Sequence, residues 1–148
     1  MMVLLPSGLT VGLSAQPVKM RQKPDPAKFE LAVSLIKKFE GLHGRDNFPY
    51  YGFGHRLLPG ENLSYDMTEA EAEALLRRDL MKRYALFRSY GKDALLLMVL
   101  SYNVGTSALL GYGKRPKSRL LRKLEAGDRD IYREYISYCT TGDGRSNQ

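Results

Sequence analysis

The chain of 148 residues has few of the side chains that bind metals or cross-link loops. Its single cysteine, Cys139, excludes an internal disulfide framework and a cysteine-based zinc site. The two histidines, His43 and His55, do not favour a histidine metal site, and the sequence suggests no cofactor. Any chemistry is therefore expected to rest on carboxylates, hydroxyls or backbone groups.

Long apolar segments are also missing from the body of the chain. The run A-L-L-L-M-V-L at Ala94–Leu100 is far shorter than the roughly 20 residues that span a bilayer, so no transmembrane segment is predicted. A helix that is apolar on every face must be surrounded by protein, and this run predicts the central core helix.

What the chain has in excess is positive charge, at a net +7. This charge favours a polyanionic partner, either nucleic acid or an anionic bacterial envelope. Lysine and arginine are spread over several predicted helices without a recognition motif, so nucleic acid is not the partner we predict. The length fits one domain, and we expect a monomer.

The composition divides the chain into three parts. Residues 1–24 form a signal-like or disordered segment with a basic linker, in which the apolar stretch ending L-S-A resembles a secretory signal. This segment favours a periplasmic or secreted location over the cytoplasm. Residues 25–139 carry the predicted domain, and residues 140–148 are predicted to be a disordered tail.

A glutamate stands in an unusual place at the end of the first predicted helix. Asp25-Pro26 reads as an N-cap with proline at the first helical position, and the helix is expected to run to about Phe39. At helical spacing, one apolar face carries Phe29, Ala32, Val33, Ile36 and Phe39, and Glu40 falls near its middle. Burial there would favour the protonated form that a general acid needs. The alternative is that the helix frays and Glu40 leaves the stripe.

The remaining pattern is helical except next to Glu40. Residues 45–58, rich in aromatics and glycine, predict a small β-hairpin. Thr68-Glu69-Ala70-Glu71 is a capping box that opens a helix to about Tyr84. Ser118 and Asp128 are predicted to cap the last two helices. A second carboxylate for acid–base chemistry could be Asp46 or, across the hairpin, Glu61 or Asp66.

Five ordered blocks together resemble the phage-type lysozymes, the muramidases of glycoside hydrolase family 24. They are L-I-K-K-F-E-G at Leu35–Gly41, G-F-G-H at Gly52–His55, M-T-E-A-E-A-E-A-L-L-R-R-D-L at Met67–Leu80, S-Y-N-V-G at Ser101–Gly105, and S-R-L-L-R-K-L-E-A-G-D at Ser118–Asp128. The resemblance implies an α+β, mostly helical, two-lobed domain with a small β-hairpin beside the active-site glutamate. It also implies cleavage of the β-1,4 bond between N-acetylmuramic acid and N-acetylglucosamine in peptidoglycan glycan strands.

The resemblance assigns roles to individual residues. Glu40 takes the place of the catalytic acid, and Asp46 is the candidate for the family's aspartate. Arg56 and Tyr102 match positions that line the substrate cleft, and His55 matches a histidine for which a structural role is at least as well supported. Tyr50 stands where the family has a threonine, at the substrate-binding edge of the hairpin.

The chain also departs from the family pattern. The interval between Glu40 and Gly52 is shorter, and the tryptophan-containing helix near the family's C-terminus has no counterpart. Two alternatives to hydrolysis therefore stay open at this point. One is a domain that binds peptidoglycan without cleaving it, and the other is a basic helical protein that binds nucleic acid.

Overall fold

The structure, a computed structural model, describes residues 22–140 of the chain. Its elements follow in the order α1 (Pro26–Glu40), β1 (Tyr50–Tyr51), β2 (His55–Arg56), α2 (Glu69–Phe87), α3 (Ala94–Val104), α4 (Thr106–Leu110), α5 (Arg119–Glu125) and α6 (Tyr132–Thr140). The predicted class, α+β and mostly helical with one small antiparallel sheet, is confirmed.

Some of the predictions concern the two ends of the chain. Residues 1–21 of the signal-like segment and residues 141–148 of the tail lie outside the described residues. Thr140, predicted to belong to the tail, is the last residue of α6. Between residues 22 and 140, none of the helices combines the length and apolar character needed to cross a membrane.

Helix α1 begins and ends close to the predicted residues, but the predicted burial of its last turn is wrong. The Asp25 side chain accepts a bond from the Lys28 amide at 3.0 Å, and Pro26 is the first helical residue. The predicted face buries Phe29, Ala32, Val33 and Ile36. Phe39, however, is 80% exposed, so its place in the core is wrong. The last turn of α1 extends beyond the core, and helical spacing alone does not show whether another element covers a turn.

An ion-pair network holds α1 against α2. Arg77 on α2 binds both carboxylate oxygens of Glu30 on α1, at 2.6 and 2.7 Å. Glu73 accepts hydrogen bonds from Lys37 at 2.7 Å and from Arg77 at 3.0 Å. Both bonds lower the pKa of Glu73, and the bond from Lys37 has the larger effect. The Lys37 ammonium also lies 5.3 Å from the centre of the Phe53 ring. The C-terminal half of α1 is thereby joined to both α2 and the hairpin.

The β-hairpin is much shorter than the predicted stretch 45–58. Residues Arg45–Asn47 form a 3₁₀ turn, and each strand has only two residues. Tyr50 pairs with Arg56, and Tyr51 pairs with His55. Because side chains alternate along a strand, Tyr51 and His55 face the core while their neighbours face outward, as their burial shows.

The helical core is centred on α2 and α3. The Thr68 capping box forms, with the Glu71 amide donating to Thr68 at 3.1 Å and the Thr68 amide donating to Glu71 at 3.0 Å. Helix α2 continues past the predicted end to Phe87, which is fully buried. Helix α3 packs against α1, α2 and α4, as expected of the central core helix. Its fully buried residues include Leu97, Met98 and Ser101.

Two local predictions for the C-terminal part differ in outcome. Ser118 caps α5, accepting from the Leu121 amide at 3.2 Å, as predicted. Asp128 does not cap the last helix, because its side chain accepts from the Asp130 amide at 2.9 Å and α6 begins only at Tyr132. Helix α4 was not predicted, and it is a single short turn after Gly105.

Candidate active site

Glu40 is the last residue of α1, beside the tip of the hairpin. Its side chain is 35% exposed, so the predicted burial within the apolar stripe is wrong. The helix does not fray there, because the amide of Gly41 still donates to the carbonyl of Lys37 at 3.0 Å. The carboxylate therefore lies at the surface, held by an ordered helix end and accessible to a ligand.

The hairpin tip approaches this carboxylate through a residue that has no side chain. Gly54 has a φ of +99°, a conformation that side-chain-bearing residues rarely adopt. A Cβ atom placed there would lie 3.5 Å from Oε2 of Glu40 and 3.3 Å from the hydroxyl oxygen of Tyr102. Glycine at this position lets the tip, the acid and α3 meet.

Tyr102 connects α3 to the hairpin tip. Its hydroxyl donates to the carbonyl of Phe53 at 2.5 Å, and the Arg83 guanidinium lies 5.0 Å from the centre of its ring. Burial raises the pKa of Tyr102, and the negative charges of Asp79 and Glu40 raise it further. The hydroxyl therefore stays protonated and remains a donor. Of the residues predicted to bind substrate, Tyr102 is the one that the structure brings beside Glu40.

His43 is a neighbour of Glu40 that the sequence reasoning did not select. Its Nε2 lies 3.5 Å from Oε2 of Glu40, and its side chain is 15% exposed. The ring stands edge-on to Tyr50, with centroids 6.2 Å apart and planes at 60°. The main-chain amide of His43 donates to the carbonyl of Gly52 at 2.8 Å. The spacing of three residues from Glu40 was the available signal, but the chain leaves the helix at Gly41, so helical spacing did not apply.

Asp46, the predicted second carboxylate, lies in the exposed 3₁₀ turn Arg45–Asn47. Within the described part of the chain, its carboxylate makes no hydrogen bond or ion pair. Tyr50 and Arg56 are opposite each other in the sheet, and both are exposed on its outer face. The structure thus places these two residues together on one surface of the hairpin.

The other proposed partners of Glu40 are used elsewhere. Glu61 accepts from His55 Nε2 at 2.7 Å and from the Leu58 amide at 2.9 Å, and these bonds lower the pKa of Glu61. Asp66 lines a separate cavity of about 550 Å³ together with Met67 and Arg78. Neither carboxylate forms a hydrogen bond or ion pair with Glu40 in the part of the chain that the structure describes.

The resemblance left both a structural and a catalytic role open for His55, and its surroundings are those of a structural residue. It is 6% exposed and lies between two carboxylates, with Nδ1 2.6 Å from Asp79 and Nε2 2.7 Å from Glu61. Both ring nitrogens are therefore occupied by protein groups. This arrangement ties β2 to α2 and to the loop after the hairpin, and it leaves His55 no free nitrogen for a substrate.

No family model, no curated protein and no solved structure matches this chain. Among residues 22–140, no group of three or more histidine, cysteine, aspartate or glutamate side chains is arranged to hold a metal ion.

Proposed function

We propose that this protein is a peptidoglycan hydrolase that cleaves the β-1,4 bond between N-acetylmuramic acid and N-acetylglucosamine, with Glu40 as the general acid. The observation that carries the proposal is the position of the Glu40 carboxylate. It is accessible, and it lies beside Gly54 of the hairpin tip, which also approaches the partly buried Tyr102. The ordered sequence blocks that resemble the phage-type lysozymes support the same assignment.

The chemistry of the proposed reaction uses few groups. Protonated Glu40 gives its proton to the glycosidic oxygen as the bond to the sugar C1 breaks. Positive charge develops on the ring, and water adds to C1 from the opposite face, losing a proton to a base or to solvent. The resemblance gives Asp46 the task of placing that water. Its exposed position leaves it open to substrate.

The outer face of the hairpin supports a sugar-binding role. Tyr50 is 41% exposed and borders His43, and Arg56 is its cross-strand partner. An exposed aromatic ring can stack on a sugar, and a guanidinium donates to hydroxyl and carboxylate oxygens. The net charge of +7 also favours association with an anionic envelope.

Binding without cleavage is a second candidate function. It is favoured by the isolation of Asp46, whose carboxylate contacts no described residue through a hydrogen bond or ion pair. It is favoured also by Tyr50, which is bulkier than the threonine of the resembled family. In this case Glu40 and the outer face of the hairpin would bind a glycan strand, but no side chain would position the water that attacks the sugar C1.

The test is the release of new reducing ends from purified peptidoglycan by the wild-type chain and by Glu40→Gln. We expect the wild type to release them and Glu40→Gln to lose activity by about a hundredfold or more, because the acid no longer has a proton to give. Asp130→Asn is the matched control, since it removes one exposed carboxylate between α5 and α6 with the same change in charge. Thermal unfolding of each variant shows whether the fold is kept.

The outcomes separate the two candidate functions. If Glu40→Gln cleaves as fast as the wild type, Glu40 is not the acid. If the wild type co-sediments with peptidoglycan and releases no reducing ends, the protein is a binding domain. Asp46→Asn adds information on the second group, because a water-placing carboxylate predicts a loss of turnover without a loss of binding.

A further inference from the structure

The imidazole of His43 is beside the proposed acid, and one of its two nitrogens has no partner in the part of the chain that the structure describes. Nε2 lies 3.5 Å from Oε2 of Glu40. Nδ1 is buried and has no hydrogen-bond partner among residues 22–140. Buried polar atoms are nearly always paired, so an exception at a candidate site calls for an explanation.

The surroundings of the ring select one of its two neutral tautomers. With the proton on Nδ1, a donor would be buried without an acceptor, and the lone pair of Nε2 would face the Glu40 carboxyl. With the proton on Nε2, the donor points at an oxygen that can accept it. The only loss is then an unused acceptor at Nδ1. The Nε2–H tautomer is therefore the one that fits this environment.

The ring is also held in place by the hairpin. The main-chain amide of His43 donates to Gly52, and the ring edge lies against Tyr50. The titratable groups that face the ring are thus the Glu40 carboxyl from α1 and the Tyr50 phenol from β1. A donor fixed in this way acts on one oxygen of Glu40, and it is the same oxygen that faces Gly54.

We propose that His43 is a positioning residue for Glu40, whose Nε2–H group holds Oε2 and leaves Oε1 to carry the acid proton toward the glycosidic oxygen. The inference rests on the proposed hydrolysis. A carboxyl has two oxygens, and a general acid works only when its proton points at the leaving group. The 3.5 Å distance is long for a hydrogen bond, and contacts of this kind tighten when substrate binds.

The distance argues against a different role, that of base for the attacking water. That base must act on the opposite face of the sugar ring, about 6.5–9.5 Å from the acid in an inverting hydrolase. His43 is much closer to Glu40 than this. It therefore acts through Glu40 and does not act on the water.

Two variants of His43 separate the hydrogen-bond donation by its Nε2–H group from the packing of its ring against Tyr50. His43→Phe keeps a ring against Tyr50 and removes the donor. His43→Gln places an amide N–H at nearly the same reach as Nε2–H. On soluble glycan strands we expect His43→Phe to lower kcat by about 10- to 100-fold, with KM changed less than about twofold, since misplacing a catalytic group costs turnover more than binding. We expect His43→Gln to recover kcat to within a few-fold of the wild type.

A second measurement needs no variant and no activity. Nitrogen-15 NMR of the wild-type imidazole groups, at a pH where the ring is neutral, distinguishes a protonated Nε2 from a protonated Nδ1. The chain has only two histidines, so His43→Gln also assigns the signals. We expect the Nε2–H tautomer for His43.

The outcomes distinguish the positioning role from the proposed function. An active wild type together with an equally active His43→Phe overturns the role of His43 alone, and so does a His43→Gln variant as slow as His43→Phe. The Nδ1–H tautomer overturns it as well. A wild type that releases no reducing ends, like Glu40→Gln, removes the proposed function and with it the role of His43. Loss in His43→Phe with recovery in His43→Gln supports both.

Discussion

The hydroxyl of Tyr102 donates a hydrogen bond of 2.5 Å to the carbonyl of Phe53, across 49 residues of chain. This bond joins the central helix α3 to the tip of the hairpin. The bonded hydroxyl is close to Gly54, which also approaches the carboxylate of Glu40. The geometry of the candidate site therefore depends on this contact between α3 and the hairpin.

Removing this hydroxyl is expected to loosen the hairpin tip. Tyr102→Phe leaves the carbonyl of the buried Phe53 without its donor, which should lower the free energy of unfolding by about 1–3 kcal/mol. Urea denaturation measures this change. Hydrogen exchange at the Gly54 amide, which donates to Tyr51, should become faster. Tyr112→Phe is the control, because that tyrosine is 83% exposed and should change stability little. Equal effects of the two variants would contradict the prediction.

Gly54→Ala is expected to disturb both stability and the acid. A side chain at a positive φ costs about 1–2 kcal/mol by itself. At Gly54 the added Cβ also contacts Tyr102 and Glu40. Gly60→Ala supplies the matched comparison, since its φ is +83° and no atom of the described residues lies within 4 Å of the added Cβ. Denaturation and reducing-end assays on both variants separate the two effects: both should lose stability, but only Gly54→Ala should lose hydrolysis. Full activity in Gly54→Ala would argue against a site at the hairpin tip.

The bonds of Glu61 predict how stability changes with pH. Hydrogen bonds from His55 and the Leu58 amide lower the pKa of Glu61 in the folded state. The unfolded chain then binds the proton more readily, so the stabilisation is present above the ordinary glutamate pKa of about 4.5. It is lost as the pH falls through the lower, folded value. Glu61→Gln should therefore flatten the acid side of a plot of unfolding free energy against pH.

The control for this experiment is another carboxylate in the same loop. Asp66 is exposed and forms no ion pair with the residues that the structure describes. Asp66→Asn should keep the pH dependence of the wild type. If Glu61→Gln and the wild type show the same acid limb, the bonds from His55 and Leu58 do not contribute as described.

The sequence allowed the helix starts to be predicted where the signal is local. Asp25 with Pro26, the Thr68 capping box and Ser118 each act within one turn of chain, and all three form as expected. The burial of Phe29, Ala32, Val33 and Ile36 also followed from helical spacing. These features need no knowledge of what packs where.

The failures concern contacts between distant parts of the chain. Phe39 continues the apolar spacing of α1, but none of the elements between residues 22 and 140 covers the last turn of that helix. Asp128 has the side chain of a helix cap, yet its carboxylate accepts a hydrogen bond from the amide of Asp130 in the turn before α6. The contact of His43 with Glu40 arises because the chain turns at Gly41 and pairs with Gly52. Such contacts depend on the whole fold, and a single sequence does not reveal them.

The bond between Tyr102 and Phe53 has a consequence for the order in which the protein is made. Glu40, His43 and Gly54 are all synthesised well before Tyr102, so a growing chain can carry the acid and the hairpin without the helix that locks them together. Bringing together residues separated by this much chain costs conformational entropy, and the Tyr102–Phe53 contact requires the segment that carries Tyr102. A nascent chain or a fragment that ends before α3 therefore lacks the bond that joins the hairpin tip to the helical core, and it should lack the proposed hydrolase activity.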